Sequence, residues 1–162
     1  MSPCSSCDAR CCRKFLVAVV PSDVRKISKN LGKKPIEFLN LFPTQECSCK
    51  WAIPVWIQGK EYYLGLKREE GRCVFLTPEN RCSIHNFKPL VCSTFPFLLD
   101  GKDAVKSNAC PKEWKDGNGD MGKLEAYHSE LKAMRGRIVE WDWHFSKSGD
   151  FEGLVAFLLR ND

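Results

Sequence analysis

Ten cysteines stand in a chain of 162 residues, and their spacing is the first feature with chemical content. Four fall within nine positions: Cys4-Ser5-Ser6-Cys7-Asp8-Ala9-Arg10-Cys11-Cys12. A Cys-x2-Cys pair lets two thiolates from one loop reach a single tetrahedral metal, and iron–sulfur clusters also draw cysteines at short spacing from loops. The adjacent Cys11 and Cys12 are different, because neighbouring side chains diverge. Such a pair is expected to serve two metals, or one metal and a nearby thiol. Arg10, Arg13 and Lys14 follow closely, and nearby cations lower thiol pKa, so thiolate character is expected here.

A second group is spread out: Cys73, Cys82, Cys92 and Cys110. Its members would supply ligands one at a time as the fold gathers them. The two groups total eight thiols, enough for two four-thiolate centres, or for one cluster with some thiols left free. The candidate metal ligands are therefore Cys4, Cys7, Cys11, Cys12, Cys73, Cys82, Cys92 and Cys110. Cys47 and Cys49 form a Cys-x-Cys pair and read as auxiliary, because one intervening residue makes joint ligation of one ion awkward. Crowded thiols suit an iron–sulfur cluster or zinc, with iron–sulfur favoured by the Cys-Cys pair. Two other readings compete: a single buried cysteine is often only a small hydrophobe, and clustered cysteines can be redox disulfides. His85 lies between Cys82 and Cys92 and is a ligand, a hydrogen-bond donor to a thiolate, or an ordinary surface histidine. Asp8 and Glu113 show no paired arrangement for acid–base work, and no catalytic residue is assigned.

These residues need elements to position them. The apolar, Val-rich run 15–20 reads as a buried strand ended by Pro21. Ser22 or Asp23 can cap a helix to Leu31, with Gly32 as its stop. Pro35 can open a second short helix that Pro43 closes. Residues 51–57 and 60–66 read as a hairpin turning at Gln58-Gly59. A turn and short helix over 82–92 is interrupted near Pro89. Residues 98–105 read as another hairpin turning near Gly101, and 116–120 as a loop. Leu124, Tyr127, Leu131, Met134, Ile138, Trp141 and Phe145 alternate spacings of three and four, which places them on one face of a long helix. That face is expected to pack on the protein's own core rather than to pair two chains, so a monomer is expected. A last helix follows Gly149-Asp150, with Phe151, Leu154, Val155 and Leu158 facing inward. The fold expected is α+β: a small, irregular, cysteine-rich domain with short hairpins covered by helices and a long C-terminal amphipathic helix. The whole of 1–162 reads as one domain, its motifs in 4–111 and its helical part in 120–160.

Charge and hydropathy narrow the setting. Residues 1–60 hold 10 Lys+Arg against 4 Asp+Glu, a balance of +6, and the remainder holds 15 against 16, a balance of −1. The excess positive charge thus lies beside the first cysteine cluster, where it can offset metal-bound thiolates. Short basic runs and missing recognition motifs argue against nucleic acid. The run 15–20 is too short to span a bilayer. Cysteines precede it and no small-residue cleavage site follows, so a cytoplasmic protein without membrane association is expected. A protein partner is left open.

The cysteine pattern resembles the widespread prokaryotic YkgJ-like family, a cysteine-cluster domain associated with zinc or iron chelation. That family shows an N-terminal Cys-x2-Cys-x3-Cys-Cys-like cluster, then Cys-x-x-Leu, then Cys-x-Ile-Tyr-x-x-Arg-Pro-x-x-Cys-Arg-x-Phe-Pro. Here Cys73-Val-Phe-Leu76 and Cys82-Ser-Ile84-His85-Asn-Phe-Lys88-Pro89-Leu-Val-Cys92-Ser93-Thr-Phe95-Pro96 follow the pattern, and the likeness covers roughly 4–111. Three positions depart from it. His85 replaces the tyrosine, Lys88 the first arginine and Ser93 the second. Lys88 keeps the charge but loses the planar fork, and Ser93 loses the charge. The resemblance implies metal binding. It also implies, as an alternative, a metal-cluster-dependent enzyme acting on protein lysines, since similar domains occur in flagellin lysine methylases. The Cys-x3-Cys-x2-Cys order of radical S-adenosylmethionine enzymes is absent. A third reading is a zinc-stapled interaction module.

Overall fold

The computed structural model describes residues 7–47, 49, 52–110, 112–113 and 119–160. Cys4, Trp51 and positions 116–118 of the expected loop lie outside these. The elements run in the order α1 (Arg10–Lys14), α2 (Pro21–Leu31), α3 (Pro35–Phe38), β1 (Leu39–Pro43), β2 (Pro54–Ile57), β3 (Lys60–Leu66), β4 (Arg68–Glu69), β5 (Arg72–Cys73), α4 (Leu90–Thr94), β6 (Phe97–Asp100), β7 (Asp103–Lys106), α5 (Met121–Phe145) and α6 (Phe151–Leu159). Small antiparallel sheets and helices make an α+β fold, as the sequence led us to expect.

The central sheet has the order β1-β3-β2. The β2–β3 hairpin turns at Gln58 (φ 49°) and Gly59 (φ 77°), two left-handed residues whose twist matches the flanking strands. The same device closes β4–β5 at Glu70 (φ 49°) and Gly71 (φ 75°). β6 and β7 form the third hairpin, with Gly101 at φ 61°.

Three expectations are corrected. The run 15–20 is buried from Val17 to Val20 but is not a strand. Ala18 makes a single antiparallel bridge with Gly65, and Val17 accepts a hydrogen bond from the Leu66 N–H at 2.9 Å. Both ends of the run are already committed: α1 continues to Lys14, and Pro21, with no N–H to give a ladder, opens α2. That start also lies before Ser22 and Asp23. Val20 is the N-cap and Pro21 occupies the first helical position, for which its fixed φ suits it. The end of α2 is as expected, with Gly32 left-handed at φ 63°. Finally, the helix from Pro35 is one turn long. Leu39 and its successors pair with Leu66–Tyr62 as β1 instead, because tertiary pairing overrides local preference.

The long helix buries Leu124 and places Tyr127, Met134, Ile138 and Trp141 in the same core as Val24, Leu39 and Leu66. Its apolar seam is thus satisfied within the chain, although Phe145 at its end is 40% exposed. Two hydrogen bonds fasten it to the edge strand: Trp141 Nε1 donates to the Trp56 carbonyl at 3.1 Å, and Asp142 Oδ1 accepts the Trp56 N–H at 2.9 Å. Asp150 caps α6 by accepting the Gly153 N–H at 2.8 Å. Besides Leu154, Val155 and Leu158, α6 buries Phe157, whose ring centroid lies 5.5 Å from that of Trp141. Among the described residues, no helix is long and apolar enough to cross a membrane.

Candidate metal centre

Four separate pieces of chain bring cysteines to one place. Cys11 and Cys12 ride on α1, whose N-cap Ala9 is left-handed (φ 55°) and buried. A side chain in that conformation is strained, so packing holds Ala9 there, and it turns the chain so that Cys7 reaches the same cavity. Cys73 ends β5 and is buried. Cys82 is bridged to Leu76 across the turn 77–81, where Asn80 takes a left-handed φ of 60°. Cys92 sits in the middle of α4, after the single 3-10 turn His85–Phe87 and Pro89.

Two residues hold this assembly in register. Arg68 donates to the carbonyls of Phe15 (2.7 Å), Arg13 (2.5 Å) and Gly71, tying the end of α1 to the β4–β5 turn. Asp23, fully buried, accepts the Leu90 N–H at 2.9 Å and the Val20 N–H at 3.3 Å, so the start of α4 hangs from the start of α2. Lys26 reaches its carboxylate at 3.4 Å. Burial raises the Asp23 pKa against these hydrogen bonds. Sequence reading proposed Asp23 only as a helix cap and did not single out Arg68. A basic residue ahead of a turn and an acid inside a helix are commonplace, so no local signal marked either.

The thiols act on one another. A hydrogen bond from Cys12 stabilises the Cys11 thiolate and lowers its pKa to about 6, with help from the Lys88 charge. The same bond keeps the proton on Cys12, and burial and the charges of Cys11, Cys92 and Cys73 push its pKa upward too. Burial is the leading cause for Cys73, Cys82 and Cys92, each of which is pushed up and feels Cys11. Cys11 and Cys12 line one cavity and hydrogen-bond to each other. One expectation changes here. The cation acting on Cys11 is Lys88, brought from the far side, while Arg10 pairs with Asp8 at 3.2 Å and Arg13 bonds Asn80. His85 is exposed and, among the described residues, meets no thiol in a hydrogen bond. Its Nε2 stands 3.3 Å from Lys88 Nζ, and that charge lowers its pKa.

The remaining cysteines are placed elsewhere. Cys110 follows β7, where its carbonyl accepts a hydrogen bond from Lys106 at 3.3 Å. Cys47 donates its thiol proton to the Pro43 carbonyl at 3.4 Å, beside Cys49. All nine described cysteines are free thiols. Among the described residues no three Cys, His, Asp or Glu side chains converge tightly enough to hold one ion. The donor chemistry fits a thiophilic metal, with five thiols around a cavity of about 470 Å³ and Cys11 ionised near neutrality.

A family profile described as "CxxCxxCC: Putative zinc- or iron-chelating domain" matches residues 3–111. The chain belongs to the CxxCxxCC family. The matched span of this CxxCxxCC protein contains α1 to β7 and every cysteine of the cavity. α5 and α6 lie beyond it and supply core rather than thiols. No curated protein and no solved structure is significantly similar to the chain.

Proposed function

We propose that this CxxCxxCC protein holds an iron–sulfur cluster through cavity thiols, in a reducing cytoplasmic setting. The observation that carries the proposal is the meeting of Cys11, Cys12, Cys82 and Cys92 around one cavity, with Cys73 close enough that its charge acts on Cys12 and Cys92. Cys7 lines the same cavity and Cys4 precedes it by three residues, so both are proposed ligands as well. Cys110 is the outlying member of the proposed set.

Five thiols around one cavity, those of Cys7, Cys11, Cys12, Cys82 and Cys92, with no three at single-ion distance among the described residues, suit a centre of several irons better than one zinc, which takes four ligands at a point. The bound group would supply redox or Lewis-acid chemistry. The chain's own part is to present an ionised Cys11, a protonated Cys12 that must release its proton on binding, and Lys88 to offset the negative charge. Drawing the thiols inward couples binding to the packing of α1 and α4.

Elemental analysis with a visible spectrum on anaerobically purified protein tests this. Iron with matching sulfide and a brown colour supports the cluster. Colourless zinc favours a structural staple, and titratable thiols without metal refute the assignment.

A further inference from the structure

The cavity beside the thiols is larger and more apolar than a metal centre requires. Its floor is made by the buried Ala9, Val17 and Leu76, and its sides by Phe15, Val91 and Phe95. The rings of Phe15 and Phe95 lie 6.1 Å apart, centroid to centroid. Its exposed rim has the opposite character: Asn80, Arg81, His85 and the half-buried Lys88 stand there, and no Asp or Glu lines it among the described residues. Lys88 is engaged by His85 at 3.3 Å and acts on Cys11 and Cys82. Arg81 differs: among the described residues its guanidinium makes no ion pair, and its backbone alone is used, bonding Thr77 across the turn.

We infer that this cavity binds an amphiphilic carboxylate, its apolar body on the Ala9–Val17–Leu76 floor and its anionic end at Arg81. A volume of about 470 Å³ lies within the usual range for small-molecule sites. An apolar floor with one cationic side of the mouth selects for an apolar chain or ring system of about ten carbons with one negative terminus. The inference deepens the metal assignment, because the thiols form one wall of the same cavity. It identifies what lies next to the cluster.

The test is calorimetric titration of decanoate into the metal-loaded protein, with decanol as the uncharged control. Decanoate is expected to bind, and decanol about tenfold more weakly. Arg81→Ala should weaken decanoate about tenfold at unchanged metal content, and Arg81→Lys should recover part of that loss. Equal affinity for decanol and decanoate, or no decanoate binding, overturns the inference. So does loss of metal from Arg81→Ala, which would assign the arginine to the metal instead. Decanoate binding to a chain that purifies without metal would leave this site standing and sink the cluster proposal, so the two readings fail separately.

Discussion

The thiols at and beside the cavity and the Cys47–Cys49 pair are the same residue type in two kinds of place. Cys11, Cys12, Cys73, Cys82 and Cys92 come from positions up to 81 residues apart and shift one another's pKa. Cys47 and Cys49 are separated by one residue; burial pushes the Cys47 thiol up, the charge of Cys49 adds to that, and both act on Tyr63. Buried Tyr127 feels both groups, since Cys49 and Cys92 each raise its pKa after burial has done so. The fold rather than the spacing sets where a thiol sits: adjacent Cys11 and Cys12 on α1 line one cavity with Cys82 and Cys92 from later segments, while Cys47 and Cys49 stay in the loop after β1.

The largest effect should separate the two groups outright. Replacing Cys11 and Cys12 with Ser is expected to remove most of the bound metal, and replacing Cys47 and Cys49 with Ser to leave the metal-to-protein ratio unchanged. Equal losses by elemental analysis would erase the distinction. Next comes the support beneath the cavity. Asp23→Ala leaves the buried Val20 N–H and the half-buried Leu90 N–H without their acceptor and should cost about 3 kcal/mol in urea unfolding. A loss below about 0.5 kcal/mol, the level of a surface substitution, would show that α4 does not depend on it.

A methyl group at Gly65 would lie 2.6 Å from Leu16 Cδ1 and 2.9 Å from the Val17 carbonyl oxygen. Gly65→Ala should therefore cost about 2 kcal/mol by displacing the segment that follows α1, an overpacking penalty. An unaltered denaturation midpoint would contradict that close approach. The smallest effect is on protonation. In reduced, metal-free protein, alkylation of Cys11 should rise with pH through a midpoint at about 6, because the Cys12 hydrogen bond favours the thiolate. Cys12→Ala removes that bond and should move the midpoint upward, as followed by mass spectrometry of the labelled peptide. An unmoved midpoint would mean that the two thiols act independently.

Much of the fold was legible residue by residue. Gln58-Gly59 and Gly101 announced their hairpins, because left-handed turn positions favour a narrow set of residues. The three-four spacing from Leu124 to Trp141 announced a helix with one buried face. The run 15–20 was misread because apolarity reports burial, not ladder pairing, and Pro21 belonged to the helix after it. The cavity itself was only half legible. Cysteine spacing singled out the thiols, but nothing local told that Lys88, rather than Arg10 or Arg13, would face Cys11.

By itself, the sequence determined the abundance and spacing of thiols, the helix periods and the turns, since these depend on side-chain chemistry and on backbone preferences a few residues long. Tertiary structure alone decided which thiols meet, that Asp23 suspends α4, that Arg68 clasps α1, and that a cation-rimmed apolar cavity opens beside the sulfurs. Those outcomes depend on directions set by packing between segments far apart in the chain, and no local pattern records them.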